Sequence, residues 1–408
     1  MHWLSDSDVY DFFQGKNLDI RTSHNGRWID QKCTPDVVSI VADSIGQFVA
    51  DGNPQQFSST DIWHASYTMK YVPLMFKKPN LDDKTARSEY DKFFQQPMEM
   101  LAYAGVLKKY KQGNRNIYSI ANPSMLEFIA RSEQSALTFI CAYIDNVVTH
   151  SGLLPVFERF FDKQTTASYD ELKDAFQAFT IKNTPINKPL ECGRIFTKVI
   201  NPLAYQRGLL GTKNGRISKQ DITRDMLMYN RPNFRDILSD KPKAVTRTRR
   251  EPATQAEATV AYESAKAKRV VRQYNELFRD GRSEMPGDDN HATHIHHIFP
   301  LAQFPTIAGY YENLIALTPN QHNLLAHPDN VTHRVDVDYQ RKCLLAKCDT
   351  IGRSIAGPTS GKIYDRLRFL EVVSIGLTDT QFLELDPSDF KEIACAINEA
   401  YGVPASQR

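Results

Sequence analysis

Along this chain the spacing of apolar residues switches between helical and alternating, and each switch marks an element. In "QQPMEMLAYAGVLKKYKQGNRNIYSI", Met98, Leu101, Ala102 and Gly105 fall at i, i+3, i+4 and i+7, which is one face of a helix, and Pro97 suits its first turn. The period then shortens, and Gly113-Asn114 splits two short runs in the manner of a two-residue hairpin loop. Farther on, Asn214-Gly215 marks another tight turn, and Ser218 with Asp221 approximates a capping box that opens a helix. Residues 241–250 read as an extended linker around Pro242, after which Thr254 and Glu257 form a capping box for a helix to about Asp280. "THIHHIFP" is short, β-branched and alternating and ends at a proline, so it predicts a strand running into a loop; "ENLIALTP" predicts a second strand. Thr318 is placed as an N-cap with Pro319 at the first helical position, so "TPNQHNLLAH" opens a helix.

At 408 residues the chain exceeds what one hydrophobic core serves, and two to four domains are expected. Its changes of character divide it at 1–150, 151–240, 241–350 and 351–408, in an α+β, multidomain arrangement that is mostly helical in front and helical again at the C-terminal end. With 41% hydrophobic and 24% charged residues it has the make-up of a soluble globular protein. No run approaches the length needed to cross a bilayer and "MHWLSDSDVYDFF" lacks a basic region followed by an apolar one, so a cytoplasmic location and no membrane partner are expected. The six cysteines are scattered without a C-x-x-C pair, which argues against a disulfide framework or a four-cysteine zinc site.

The net charge of +2 means that affinity for a polyanion must come from local clustering. Residues 241–282 hold eleven Lys and Arg against five Asp and Glu, and Arg247, Arg249 and Arg250 lead that run. Such runs are usually hydrated surface; this one lies beside the histidines discussed next, which favours phosphate contact. The helix and basic hairpin around 97–120 resemble the recognition helix and wing of a winged-helix DNA-binding domain, with Lys108, Lys109, Lys111 and Arg115 near phosphates. An ordinary solvated hairpin is the competing reading. Lys213, Arg216 and Lys219 cluster around the second turn, another candidate phosphate contact.

Seven of the eleven histidines lie in the 43 residues from His291 to His333, where even scatter would put about one. His296 and His297 are adjacent on a predicted strand and point to opposite faces, so two separate roles are implied. Histidine has a pKa near neutrality and serves as proton acceptor or as metal ligand.

The order strand, loop, strand, helix, carrying H-H-x-x-P, then N-L-x-x-L, then H, resembles the HNH or ββα-metal nuclease family. The residues that carry the resemblance are His296, His297, Pro300, Asn313, Leu314, Leu317 and His322, in a segment of about a tenth of the chain. The resemblance implies a DNA endonuclease in which His297 is the general base. It makes His296 and His322 ligands of one divalent ion (Mg²⁺, Mn²⁺, Ni²⁺ or Zn²⁺), and Asn313 the residue that holds the loop and orients the base. His327 follows His322 by five positions rather than the more comfortable four, and joins the ligands if the helix ends at Ala326. Many members of the family brace this fold with a zinc held by two C-x-x-C pairs, one of them within L-C-x-x-C-H. Here that stretch reads Leu317-Thr318-Pro319-Asn320-Gln321-His322, so packing must replace the zinc. The extra structure before and after the motif points to target recognition, and hence to a type II restriction endonuclease on double-stranded DNA. A modification-dependent nuclease, a homing or phage-type HNH nuclease, and a DNA-binding protein with an inactive HNH fold are the alternatives. One such site cuts one strand, so a homodimer is expected.

Overall fold

The structure, a computed structural model, describes residues 3–76, 78, 86–229, 252–327, 335–356 and 363–403. It is an α+β protein in which helices predominate over three antiparallel strand pairs among the described residues. The chain divides into two compact units, residues 1–255 and 256–408, so the segments 1–150 and 151–240 both fall within the first. No single helix among the described residues is long and apolar enough to cross a membrane. Arg247, Arg249, Arg250 and His333 lie outside the described residues.

The first unit runs α1 (Asp6–Phe13), α2 (Ile20–Ser23), α3 (Pro35–Ala50), α4 (Ser59–His64), α5 (Ser66–Met75), α6 (Ala86–Tyr103), β1 (Leu107–Gln112), β2 (Arg115–Ile120), α7 (Pro123–Arg131) and α8 (Glu133–His150). It continues with α9 (Leu154–Lys163), α10 (Thr166–Asn183), α11 (Pro189–Arg207), β3 (Leu210–Lys213), β4 (Arg216–Asp221) and α12 (Arg224–Leu227). At its centre α3 buries Val37, Val38, Ile40, Val41 and Ile45 and packs on α7 and α8. A helix apolar on most sides can only be stable inside a core.

Pro97 lies inside α6 and not in its first turn. The helix is already running at Ala86, because Tyr90, Phe93 and Phe94 bury an apolar face that Met98 and Leu101 continue. That burial, about 1.5–3 kcal/mol for each large side chain, outweighs the one hydrogen bond Pro97 forgoes. Both expected turns form, by different backbone routes. Gly113 alone has positive φ (60°) in the first, as a type II′ loop requires, whereas Asn214 (56°) and Gly215 (75°) are both left-handed in the second, as in type I′. Ser218 opens no helix. It belongs to β4, where its hydroxyl accepts the Gly211 N–H at 3.0 Å, because the tight turn zips β3 and β4 together before a helix can start.

In the second unit α13 (Pro252–Arg279) begins ahead of Thr254, so the pair Thr254 and Glu257 does not cap it. It ends where expected, with Asp280 (φ 53°) and Gly281 (φ 67°) both left-handed. A β-carbon at Gly281 would collide with Glu276 and His291. There follow β5 (His294–His297), β6 (Leu314–Leu317), α14 (Val337–Ala356), α15 (Arg366–Leu377) and α16 (Phe390–Ala400). Ala267 and Val271 of α13 pack on Ala292, Ile295, Leu314 and Ala316 to make the core under the strand pair.

Glu284 braces β6 from its free side. Its N–H donates to the Ala316 carbonyl and its Oε1 accepts the Ala316 N–H, both at 2.9 Å. The same carboxylate pairs at 3.0 Å with Lys347 of α14, whose ammonium also reaches the Tyr364 hydroxyl at 2.9 Å. Lys347 and Glu284 are both fully buried. Burial pushes the Lys347 pKa down while Glu284 pulls it up.

Candidate metal centre

The strands β5 and β6 pair antiparallel with His296 opposite Ile315 and His297 opposite Leu314. The two-residue period puts His294 and His296 on one face and turns Ile295 into the core on the other. The facing wall is built after β6. Thr318 Oγ1 accepts the Gln321 N–H at 3.3 Å while Gln321 Oε1 accepts the Thr318 N–H at 2.9 Å, a reciprocal capping box. These are the two positions at which the HNH resemblance places cysteines. Gln321 extends the brace, accepting from the Ser283 hydroxyl at 2.7 Å and donating to Asp288 at 2.6 Å.

From Gln321 to Ala326 the chain is a π-helix. Its hydrogen bonds run i to i+5, which makes its turn wider than that of an α-helix. The helix ends at Ala326, and His327 follows it with non-helical backbone (φ −121°, ψ 83°), which leaves the His322 and His327 ring centroids 4.9 Å apart. The three nitrogens offered by His296, His322 and His327 all lie within 4.8 Å of one another. Nitrogen ligands about 2.1 Å from a single ion sit about 3.4 Å apart, so the set fits one cation after side-chain adjustments of about 1 Å. The Nδ1–H of His322 donates to Asn323 Oδ1 at 2.8 Å, which leaves Nε2 as its ligand atom. Burial, reinforced by the neighbouring His327 and His322, holds His296 well below the ordinary imidazole range; burial also lowers His322. Neutral rings with free lone pairs are what a metal needs.

His297 closes β5, and although it faces away from His296 along the strand, both rings line one cavity of about 420 Å³ together with His322, His327, Pro300 and Lys268. His297 Nε2 lies 3.0 Å from the Ala308 carbonyl and 3.3 Å from the Ser264 hydroxyl. A carbonyl only accepts, so the proton is on Nε2 and Nδ1 carries the lone pair. Burial first, and Lys268 second, take His297 down to about 4. The ring is a neutral proton acceptor at physiological pH.

Asn313 fixes the loop between the strands. Its Oδ1 accepts the Phe299 N–H at 2.9 Å, and its Nδ2 donates to the carbonyls of Phe299 at 3.1 Å and Ile307 at 3.3 Å. Ile307 precedes Ala308, so Asn313 holds the carbonyl that orients His297. From α14, Gln340 donates to the Ile298 carbonyl at 2.8 Å and pins the start of the same loop.

In the first unit Lys108, Lys111 and Arg115 are exposed on the β1–β2 hairpin, and Lys213 and Arg216 flank the β3–β4 turn, also exposed. Lys109 differs. Its ammonium is paired at 2.6 Å with Glu99 of α6, which also accepts from Tyr118, so it ties hairpin to helix. Comparison of the chain with protein-family models, curated proteins and solved structures finds no match.

Three residues around the centre carry no motif. His294 stacks on His322 with centroids 4.7 Å apart, and Ser264 and Lys268 come from α13. Ser264, Ala267, Lys268 and Val271 lie at i, i+3, i+4 and i+7, so a stripe on the helix before the histidines was the available signal.

Proposed function

We propose that this chain is a metal-dependent DNA endonuclease of the HNH type, most like a sequence-specific type II restriction endonuclease. The observation that carries the reading is one cavity holding a three-histidine cluster beside a fourth histidine whose tautomer is set by a backbone carbonyl. Hydrolysis of a phosphodiester needs a proton acceptor for water and relief of charge on the phosphate. His297 Nδ1 takes the proton from the attacking water, and the Ala308 carbonyl and Asn313 keep the ring turned for it. His296, His322 and His327 would hold the divalent ion, which supplies charge relief on the phosphate. Three imidazoles suit Mn²⁺, Ni²⁺ or Zn²⁺ better than Mg²⁺.

Double-stranded DNA is the partner, with Lys108, Lys111, Arg115, Lys213 and Arg216 placed for phosphates and the segment 97–120 for reading the target. Since a single site cuts one strand, a homodimer on a two-fold symmetric target follows.

The test is supercoiled plasmid with each of the four metals, with and without base methylation, followed by sequencing of the product ends. Linear products with fixed symmetric ends support the restriction reading. Nicked products alone favour a homing or phage-type nuclease, and cleavage confined to methylated plasmid favours a modification-dependent one. An intact protein that cuts nothing with any metal would leave a DNA-binding protein with an inactive HNH fold.

A further inference from the structure

Among the described residues, Lys268 is the one ammonium on the wall of the histidine cavity. It is half-buried, and among the described residues no carboxylate or hydrogen-bond acceptor pairs with it and the charged group acting on it is Arg272, one turn farther along α13 and of the same sign. Lysines withdrawn from water are nearly always paired, because an uncompensated charge in a poorly solvated place is costly. Here the cost is compounded, since His296, His297 and His322 all feel the charge of Lys268, and a divalent ion on the cluster would repel it. Among the described residues the cavity is lined by four imidazoles and an ammonium with no acidic group, so they supply it no counter-charge.

We infer that Lys268 binds the scissile phosphate, its ammonium contacting a non-bridging oxygen on the side away from the histidine cluster. The inference rests on the nuclease reading for the identity of the anion, but not for its existence. The anion lies between two positive centres and neutralises both, which explains why the helix carries its charge into the cavity. Position on a rigid helix matters: α13 supplies Ser264 to His297 and Lys268 to the phosphate from successive turns of one face, so base and anion site are held in a fixed relation. In the transition state charge grows on the non-bridging oxygens, so the contact strengthens as the reaction proceeds.

The experiment titrates inorganic phosphate into the full-length protein by calorimetry, without metal and with Mn²⁺, for the parent, Lys268→Gln and Lys268→Arg. Hydrolysis of bis(4-nitrophenyl) phosphate, a diester that makes no use of DNA recognition, is measured alongside. The expected result is at least tenfold weaker phosphate binding and about 10²-fold slower hydrolysis in Lys268→Gln, with most of both restored in Lys268→Arg. Mn²⁺ affinity should be unchanged or tighter, because a like charge has been removed. Phosphate binding equal to the parent's in Lys268→Gln would overturn the inference, as would loss of Mn²⁺ affinity, which would mean that the lysine only supports the fold. If the parent binds phosphate through Lys268 yet hydrolyses neither plasmid nor the small diester, the anion site stands and the nuclease reading falls.

Discussion

The Nε2–H of His297 donates to the Ala308 carbonyl at 3.0 Å, and that bond decides which ring nitrogen can accept a proton. Replacing His297 with Gln removes the acceptor without opening a large cavity. Cleavage should fall 10²–10⁴-fold, the usual contribution of a general base, while Mn²⁺ binding by calorimetry stays near that of the parent. Cleavage within a few-fold of the parent would remove His297 from this role.

His327 should behave as a full ligand and not as a helix-end bystander, because its ring nitrogen lies within 4.8 Å of those offered by His296 and His322. His296→Ala, His322→Ala and His327→Ala should each weaken Mn²⁺ binding at least tenfold, with activity lost in proportion. A His327→Ala protein that binds Mn²⁺ as the parent does would reduce the site to two histidines.

Asn313→Ala should cost stability and activity together. It leaves the Phe299 N–H and the Phe299 carbonyl unpaired in the interior, at about 1–3 kcal/mol per group, and loosens Ile307, whose neighbour Ala308 supplies the carbonyl that orients His297. Asn313→Asp makes a sharper control, since it keeps the acceptor for Phe299 but turns an oxygen on both carbonyls. Urea denaturation and plasmid cleavage of both variants check this; an Asn313→Asp protein as stable as the parent would contradict it.

Lys347→Met should destabilise the second unit by about 3–5 kcal/mol, because it strands the buried Glu284 carboxylate without its counter-charge. The double variant Lys347→Met, Glu284→Gln should recover part of the loss. Thermal unfolding of the four proteins in the cycle gives the coupling, and simple additivity would show that the two residues are independent.

In the first unit Glu89 receives the ammoniums of Lys78 at 2.9 Å and Lys32 at 3.3 Å. Burial alone would raise its carboxyl pKa, but the two lysines outweigh it and hold it at about 2. A carboxyl lowered from 4.5 contributes stability that is present above pH 4.5 and lost as pH falls from there toward 2. Unfolding midpoints of the parent and Glu89→Gln should therefore differ at pH 6 and converge on acidification. A gap that stays constant down to pH 3 would contradict this assignment.

Local chemistry made much of this protein readable in one dimension. The turns at Gly113-Asn114 and Asn214-Gly215 need positive φ, and few residues supply it. The cap at Thr318 and the end of α13 before Gly281 rest on equally local preferences. The strand His294–His297 followed from alternation, Leu314–Leu317 from a short apolar run bounded by turn signals, and the histidine cluster from its density alone. Where local signals competed with burial, burial won: α6 runs through Pro97 because Tyr90, Phe93 and Phe94 need covering. Ser218 and Thr254, which resemble caps, sit inside a strand and a helix. The sequence by itself thus determined which residues have the chemistry and which short elements carry them. Only the tertiary structure decided that the non-helical backbone at His327, just past a π-helix, leaves its ring beside His322, that Ala308 sets the tautomer of His297, and that Lys268 reaches the same cavity. Each of these is a distance between residues remote in the chain or dependent on an unusual backbone, and such distances are set by packing, which no local pattern encodes.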